Sequence, residues 1–256
     1  SGELFFRNLI KSLKCRKVIY VDNGNIKFIP YVCNIKKLVC FEVQDGATEG
    51  SISVNYPKKK ELLLNKENSY YPDFYISWGK YWNKIYNLPS KFIVGGTENY
   101  IEKCNHSNKI LFISSTRYYL DLSFIAKEVA KALPNKKILF KLHPEQFTEC
   151  SKIKLDFTNQ KNIKVILDEI DNKKLLLESS DFVAIRSTFI YQALQSGCRG
   201  HILKKHDYNC ETEILKFSQQ FSTSDELLSN LNHIPLKTDP PIFFEQISFN
   251  NLNDFL

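Results

Sequence analysis

Several short stretches carry side chains that could do chemistry, and each follows an apolar run. Asp45 lies in Gln44-Asp45-Gly46-Ala47-Thr48-Glu49. A carboxylate held there could deprotonate an acceptor hydroxyl, and Glu49 is a second candidate base on the same stretch; Asp-Gly is equally a turn signal. His143 stands in Lys141-Leu142-His143-Pro144-Glu145. The proline removes a backbone donor and biases His143 to an extended conformation. An imidazole so placed can donate to a phosphate oxygen or protonate a leaving group near neutral pH; a purely structural histidine is the alternative. Ser187-Thr188 supplies hydroxyls where a strand turns into a helix. The helix dipole and unpaired N–H groups there favour an anion, although the same pair also serves as an ordinary N-cap. Ser114-Ser115-Thr116 makes a similar offer.

The elements that must position these residues follow from the apolar pattern. Residues 17–21, 38–43, 74–77 and 92–94 read as strands, then 110–113, 138–142, 163–166 and 182–185. Residues 121–133 show helical periodicity and stop at Pro134. Shorter helices are expected over 173–178 and 189–195, the second closed by Gly197. The polar, Lys-rich stretch 55–70 reads as a surface loop, and the polar residues 98–108 as an inter-domain connection. Strands alternating with helices predict an α/β protein with parallel sheets. The expected division is a first lobe over 1–97 and a second over 98–256. Asp45, Gly95, Ser114, His143 and Ser187 each fall just past a strand's C-terminal end, the edge where open α/β sheets bind ligands. Five such ends are expected to face one shared cleft.

Composition narrows the partners. Hydrophobic residues make up 43% of the 256-residue chain and charged residues 25%, which suits a packed globular protein. Lys and Arg number 35 against 28 acidic residues, a net charge of +7. Such an excess fits nucleic acid, a phosphorylated ligand or peripheral contact with an anionic membrane surface. The lysines form no basic stripe, and no nucleic-acid-binding motif is present, which argues against nucleic acid. The seven cysteines have no CxxC spacing, which argues for a reducing, cytoplasmic compartment and against a structural zinc site. No apolar run approaches the ~20 residues of a membrane span. The chain opens Ser1-Gly2 and contains no Met, so the first lobe is expected to be incomplete at its N-terminal end.

The ordered trio Asp45-Gly46, His143-Pro144 and Ser187-Thr188 resembles the motifs of bacterial sialyltransferases that use CMP-activated donors. The resemblance implies Asp45 as catalytic base, His143 as acid or phosphate ligand, and Ser187 and Thr188 as phosphate ligands. Gln44 stands where that family usually has a carboxylate. Residues 71–82 resemble a wider group of capsule and lipopolysaccharide glycosyltransferases, in which Gln-His-Gly often replaces Gln44-Asp45-Gly46. Residues 176–197 resemble the donor-binding end of two-Rossmann (GT-B) glycosyltransferases, where Glu-Ala often stands at Gln192-Ala193. Together these imply two Rossmann-like lobes, a nucleotide-sugar donor, a glycan acceptor and no cofactor. The donor site would comprise Ser114, Ser115, Thr116, Lys141, Pro144, Glu145, Ser187 and Thr188, with Gly95 nearby. No Asp-x-Asp pair is present, so metal-independent transfer is expected. The alternatives are a CDP-glycerol or UDP-sugar enzyme of the same fold, and a non-catalytic module that binds an anionic ligand.

Overall fold

The structure, a computed structural model, describes residues 2–21, 28–45, 71–85, 88–98, 100–103, 108–167, 170–206, 212–232 and 239–248. These form two compact units: Ser1–Tyr100 with Ile242–Leu256, and Ile101–Pro241.

The first unit opens with helix α1 (Gly2–Leu13), followed by β1 (Lys17–Val21), α2 (Phe28–Ile35), β2 (Val39–Val43), β3 (Phe74–Ser77), α3 (Lys80–Ile85) and β4 (Lys91–Val94). Its four strands are parallel in the order β1-β2-β3-β4. Val32, Cys33, Tyr20 and Cys40 pack one side under α1 and α2, and Phe41, Ile76 and Ile93 form a second cluster. The described part of the tail, residues 242–248, returns to this unit. Glu245 donates its N–H to the Trp78 carbonyl (2.8 Å) and accepts from Thr97 N–H (2.9 Å), and Ser248 donates to the Gly95 carbonyl (3.2 Å). The fully buried Trp82 donates its indole N–H to the Phe243 carbonyl at 2.6 Å. The expected second lobe runs from residue 98 to 256; the returning tail departs from it. Backbone pairing and a buried aromatic cluster hold the tail, and neither leaves a periodic signal in the sequence.

The second unit contains β5 (Lys109–Ile113), α4 (Tyr119–Ala132), β6 (Lys137–Lys141), a 3-10 turn (Pro144–Glu149), α5 (Cys150–Asp156), β7 (Ile163–Ile166), α6 (Asn172–Leu177), β8 (Ser179–Ala184), α7 (Phe189–Ser196), β9 (Arg199–Leu203), α8 (Thr212–Leu215), β10 (Ser218–Phe221) and α9 (Ser224–Asn232). Its six parallel strands run β10-β9-β8-β5-β6-β7. Counted within the unit from the β7 side, that order is 3-2-1-4-5-6, the doubly wound Rossmann arrangement. Residues 110–113 of β5 are all buried. A parallel strand covered on both faces must read as a continuous apolar run, which is why this strand is plain in the sequence. Phe112, Phe140, Leu122, Val129 and Val183 form the core beneath α4.

Candidate nucleotide site

In a doubly wound sheet the chain leaves the first and fourth strands toward opposite faces, and the crevice between them is where ligands bind. Here those strands are β5 and β8. β5 delivers Ser114-Ser115-Thr116, and β8 delivers Arg186-Ser187-Thr188. Both hydroxyl turns therefore flank the crevice of the second unit, and β6, beside β5, delivers His143.

The members of this set differ in what they can offer. Ser187 Oγ accepts from Phe189 N–H at 3.1 Å, so it caps α7. A hydroxyl that accepts one bond retains its own proton to donate, so capping leaves room for phosphate. Thr188 is half-buried and makes no side-chain cap bond. All eight residues of α7 are buried, and Gly197 (φ 97°) terminates it in the left-handed conformation. Ser114 is different. Its Oγ is buried without a partner among the described residues, and its N–H donates to the Lys141 carbonyl at 2.8 Å. Its hydroxyl is sealed from solvent, which leaves half-buried Ser115 and exposed Thr116 as the reachable groups of that turn.

His143 has the extended backbone that the following proline favours (φ −70°, ψ 144°) and opens the 3-10 turn, with Pro144 in its first positions. Its N–H donates to Oε1 of the buried Gln146 at 3.0 Å, and its Nδ1 accepts from Glu145 N–H at 3.4 Å. The Glu145 carboxylate lies 3.6 Å from the same nitrogen. Nδ1 thus faces Glu145 whether the ring is neutral or charged, and Nε2 is the atom left for a ligand. A neutral ring whose Nδ1 accepts carries its proton on Nε2. Lys141, the last residue of β6, is half-buried between β5 and β7.

Three further cations, absent from the residues expected from sequence, lie on this edge. Arg117 follows the Ser-Ser-Thr turn and lies over the Tyr118 ring at 5.4 Å. Arg186 is exposed two residues past the end of β8. Lys205, just past β9, pairs with Asp121 in the first turn of α4 at 2.6 Å. A cation within four residues of the end of a buried strand is the signal that could have found them. Together with Lys141 they make the edge electropositive, as an anionic ligand requires.

Asp45 and Gly95 belong to the first unit. Asp45 is exposed after β2. Its neighbour Gln44 is buried, with Oε1 accepting from Trp78 N–H at 2.9 Å. The Gln44 amide therefore joins two strand ends. Gly95 donates to the Ser77 carbonyl and accepts from Ser248. At Gly96 (φ 75°) an added Cβ would lie 2.3 Å from the Gln246 carbonyl oxygen. Tail docking thus accounts for the glycine at 96. Glu49 lies outside the described residues.

A buried polar network sits away from the crevice, toward the N-terminal end of β8 and β9. Asp181 is gripped by Arg199 through Nε (2.8 Å) and Nη2 (2.9 Å), by His201 Nε2 (3.0 Å) and by the Ser180 hydroxyl (2.7 Å). Burial pushes the Asp181 carboxyl up, but the bonds from His201, Arg199 and Ser180 outweigh it and hold it below the ordinary carboxylate value.

No known family model matches the chain, and no curated protein sequence is similar to it. Solved structures are similar in fold. The UDP-GlcNAc 2-epimerase of Methanocaldococcus jannaschii, in complex with UDP-GlcNAc and UDP, superposes with a TM-score of 0.57 at 13% identity, over 95% of this chain and 76% of that one. The fold is GT-B. The pneumococcal O-GlcNAc transferase GtfA, in complex with UDP and GlcNAc, gives 0.54 at 12% identity over 90% of this chain and 52% of its own. MurG of Acinetobacter baumannii gives 0.53 at 9% identity, over 90% and 69%. No helix among the described residues is long and apolar enough to cross a membrane.

Proposed function

We propose that this chain binds a UDP-sugar at the β5/β8 crevice and transfers the sugar to a glycan hydroxyl. The observation that supports the reading is the 3-2-1-4-5-6 strand order, which puts two hydroxyl turns at the ends of neighbouring strands, where a doubly wound sheet binds ligands. Thr188, Ser187, Ser115 and Thr116 would donate to phosphate oxygens, supported by the start of α7. His143 would donate from Nε2. The cations of the edge would take up the charge that develops on the departing diphosphate. In the transfer, the acceptor oxygen bonds to the anomeric carbon as the bond from that carbon to the phosphate oxygen breaks. The acceptor proton passes to a carboxylate, for which Asp45 is the candidate.

A UDP donor is preferred to the CMP-activated keto-acid sugar that the motif trio implies. The neighbours of this fold include structures holding UDP or UDP-GlcNAc, and a diphosphate uses both turns where a monophosphate uses one. The deciding experiment is turnover of UDP-, CMP- and CDP-activated donors with and without a glycan acceptor. Release of UDP that depends on acceptor supports transfer. Conversion of the UDP-sugar with no acceptor present would instead make the chain an epimerase, and turnover of the CMP donor alone would restore the keto-sugar reading.

A further inference from the structure

We propose that Lys205, held in place by Asp121, is a ligand of the second phosphate and makes the crevice selective for nucleoside diphosphates over monophosphates; this rests on the nucleotide reading above. Lys205 comes from the end of β9, and Asp121 from the first turn of the helix that follows β5. Only β8 lies between those two strands in the sheet. The 2.6 Å contact between Lys205 Nζ and Asp121 Oδ1 therefore spans the exit of β8, the loop that carries Arg186, Ser187 and Thr188. Any anion seated on both hydroxyl turns lies beside this bridge.

The pair is suited to exchange partners. Its side chains are 29% and 43% exposed, and ion pairs so accessible to water contribute little to stability. An ammonium has three donors, so Lys205 can keep Asp121 and still donate to a phosphate oxygen. The carboxylate fixes where the ammonium sits and would by itself repel a phosphate at the start of α4; the lysine cancels that repulsion. A monophosphate seated on one hydroxyl turn would leave Lys205 unused, whereas a diphosphate that reaches both turns supplies the extra charge it can meet.

The test is calorimetric titration of UDP and UMP into the wild type, Lys205→Gln, Lys205→Arg and the double variant Lys205→Gln/Asp121→Asn. The wild type should bind UDP more tightly than UMP. Lys205→Gln should lower UDP affinity about tenfold and leave UMP within about twofold. Lys205→Arg should keep most of the preference, and the double variant should recover part of the loss by removing the stranded carboxylate. If Lys205→Gln weakens UDP and UMP equally, the pair is only a structural strap and the proposal is wrong. An unchanged UDP affinity would also overturn it. If the wild type binds neither nucleotide, the nucleotide reading itself fails and takes this proposal with it.

Discussion

Two neighbouring hydroxyls at the start of α7 should separate a helix cap from a phosphate ligand. Ser187 Oγ accepts from Phe189 N–H at 3.1 Å, whereas Thr188 has no side-chain cap bond. Ser187→Ala removes a cap and should cost about 1 kcal/mol of folding stability along with any phosphate contact. Thr188→Val keeps the β-branched shape and removes only the hydroxyl, so its stability should stay within about 0.5 kcal/mol of the parent. A hydroxyl donating to a phosphate is a hydrogen bond to a charged group, worth about 1.5 kcal/mol at the low end. Its loss should therefore weaken UDP binding about tenfold. Urea denaturation gives the stability and calorimetry the affinity. A Thr188→Val protein that folds and binds UDP like the parent would refute the phosphate role and leave this turn a cap.

Other expectations follow from the same geometry. Asp181→Ala should destabilise the second unit by about 3 kcal/mol, because it strands the buried His201 and the guanidinium of Arg199; a loss under about 1 kcal/mol in urea titration would contradict this. The folded carboxyl of Asp181 titrates below its unfolded value, so its stabilisation is complete above about pH 4 and lost as pH falls through the lowered folded value. In acid titrations the Asp181→Asn protein should accordingly lose less stability below pH 4 than the parent. Gly200→Ala should cost about 1–3 kcal/mol, since its Cβ would lie 2.8 Å from Phe182 Cζ and 2.9 Å from Ser218 Cβ; unchanged thermal unfolding would refute it. Asp45→Asn should lower kcat about 10²–10⁴-fold with nucleotide affinity nearly unchanged, whereas His143→Ala should weaken both, as steady-state kinetics and nucleotide titration would show.

The strands nearest the crevice are legible in sequence because they are buried on both faces. Ile110-Leu111-Phe112-Ile113 and Ile138-Leu139-Phe140 leave little else to predict. β9 is hidden for the opposite reason. Its Arg-Gly-His opening is polar, yet Gly200 and His201 are buried, and Asp181 pairs with both Arg199 and His201 Nε2. β10, Ser218-Gln219-Gln220-Phe221, has no apolar run and lies at the sheet's edge. The Lys205–Asp121 bridge joins residues 84 positions apart, a pairing that only the strand order reveals. The same holds for the crevice: sequence locates Ser114 and Ser187 at strand ends, but their neighbouring strands are set by the crossovers. At His143, by contrast, the proline's steric effect is local, and the extended conformation it predicts is the one observed.

The proposed donor site is the crevice between the ends of β5 and β8 in the second unit. A crystal structure with UDP bound tests it most directly. The diphosphate is expected between the 114–116 and 186–188 turns, with a phosphate oxygen within hydrogen-bonding distance of the Thr188 hydroxyl and another near His143 Nε2. A diphosphate bound elsewhere in the second unit, with these turns left empty, would contradict it.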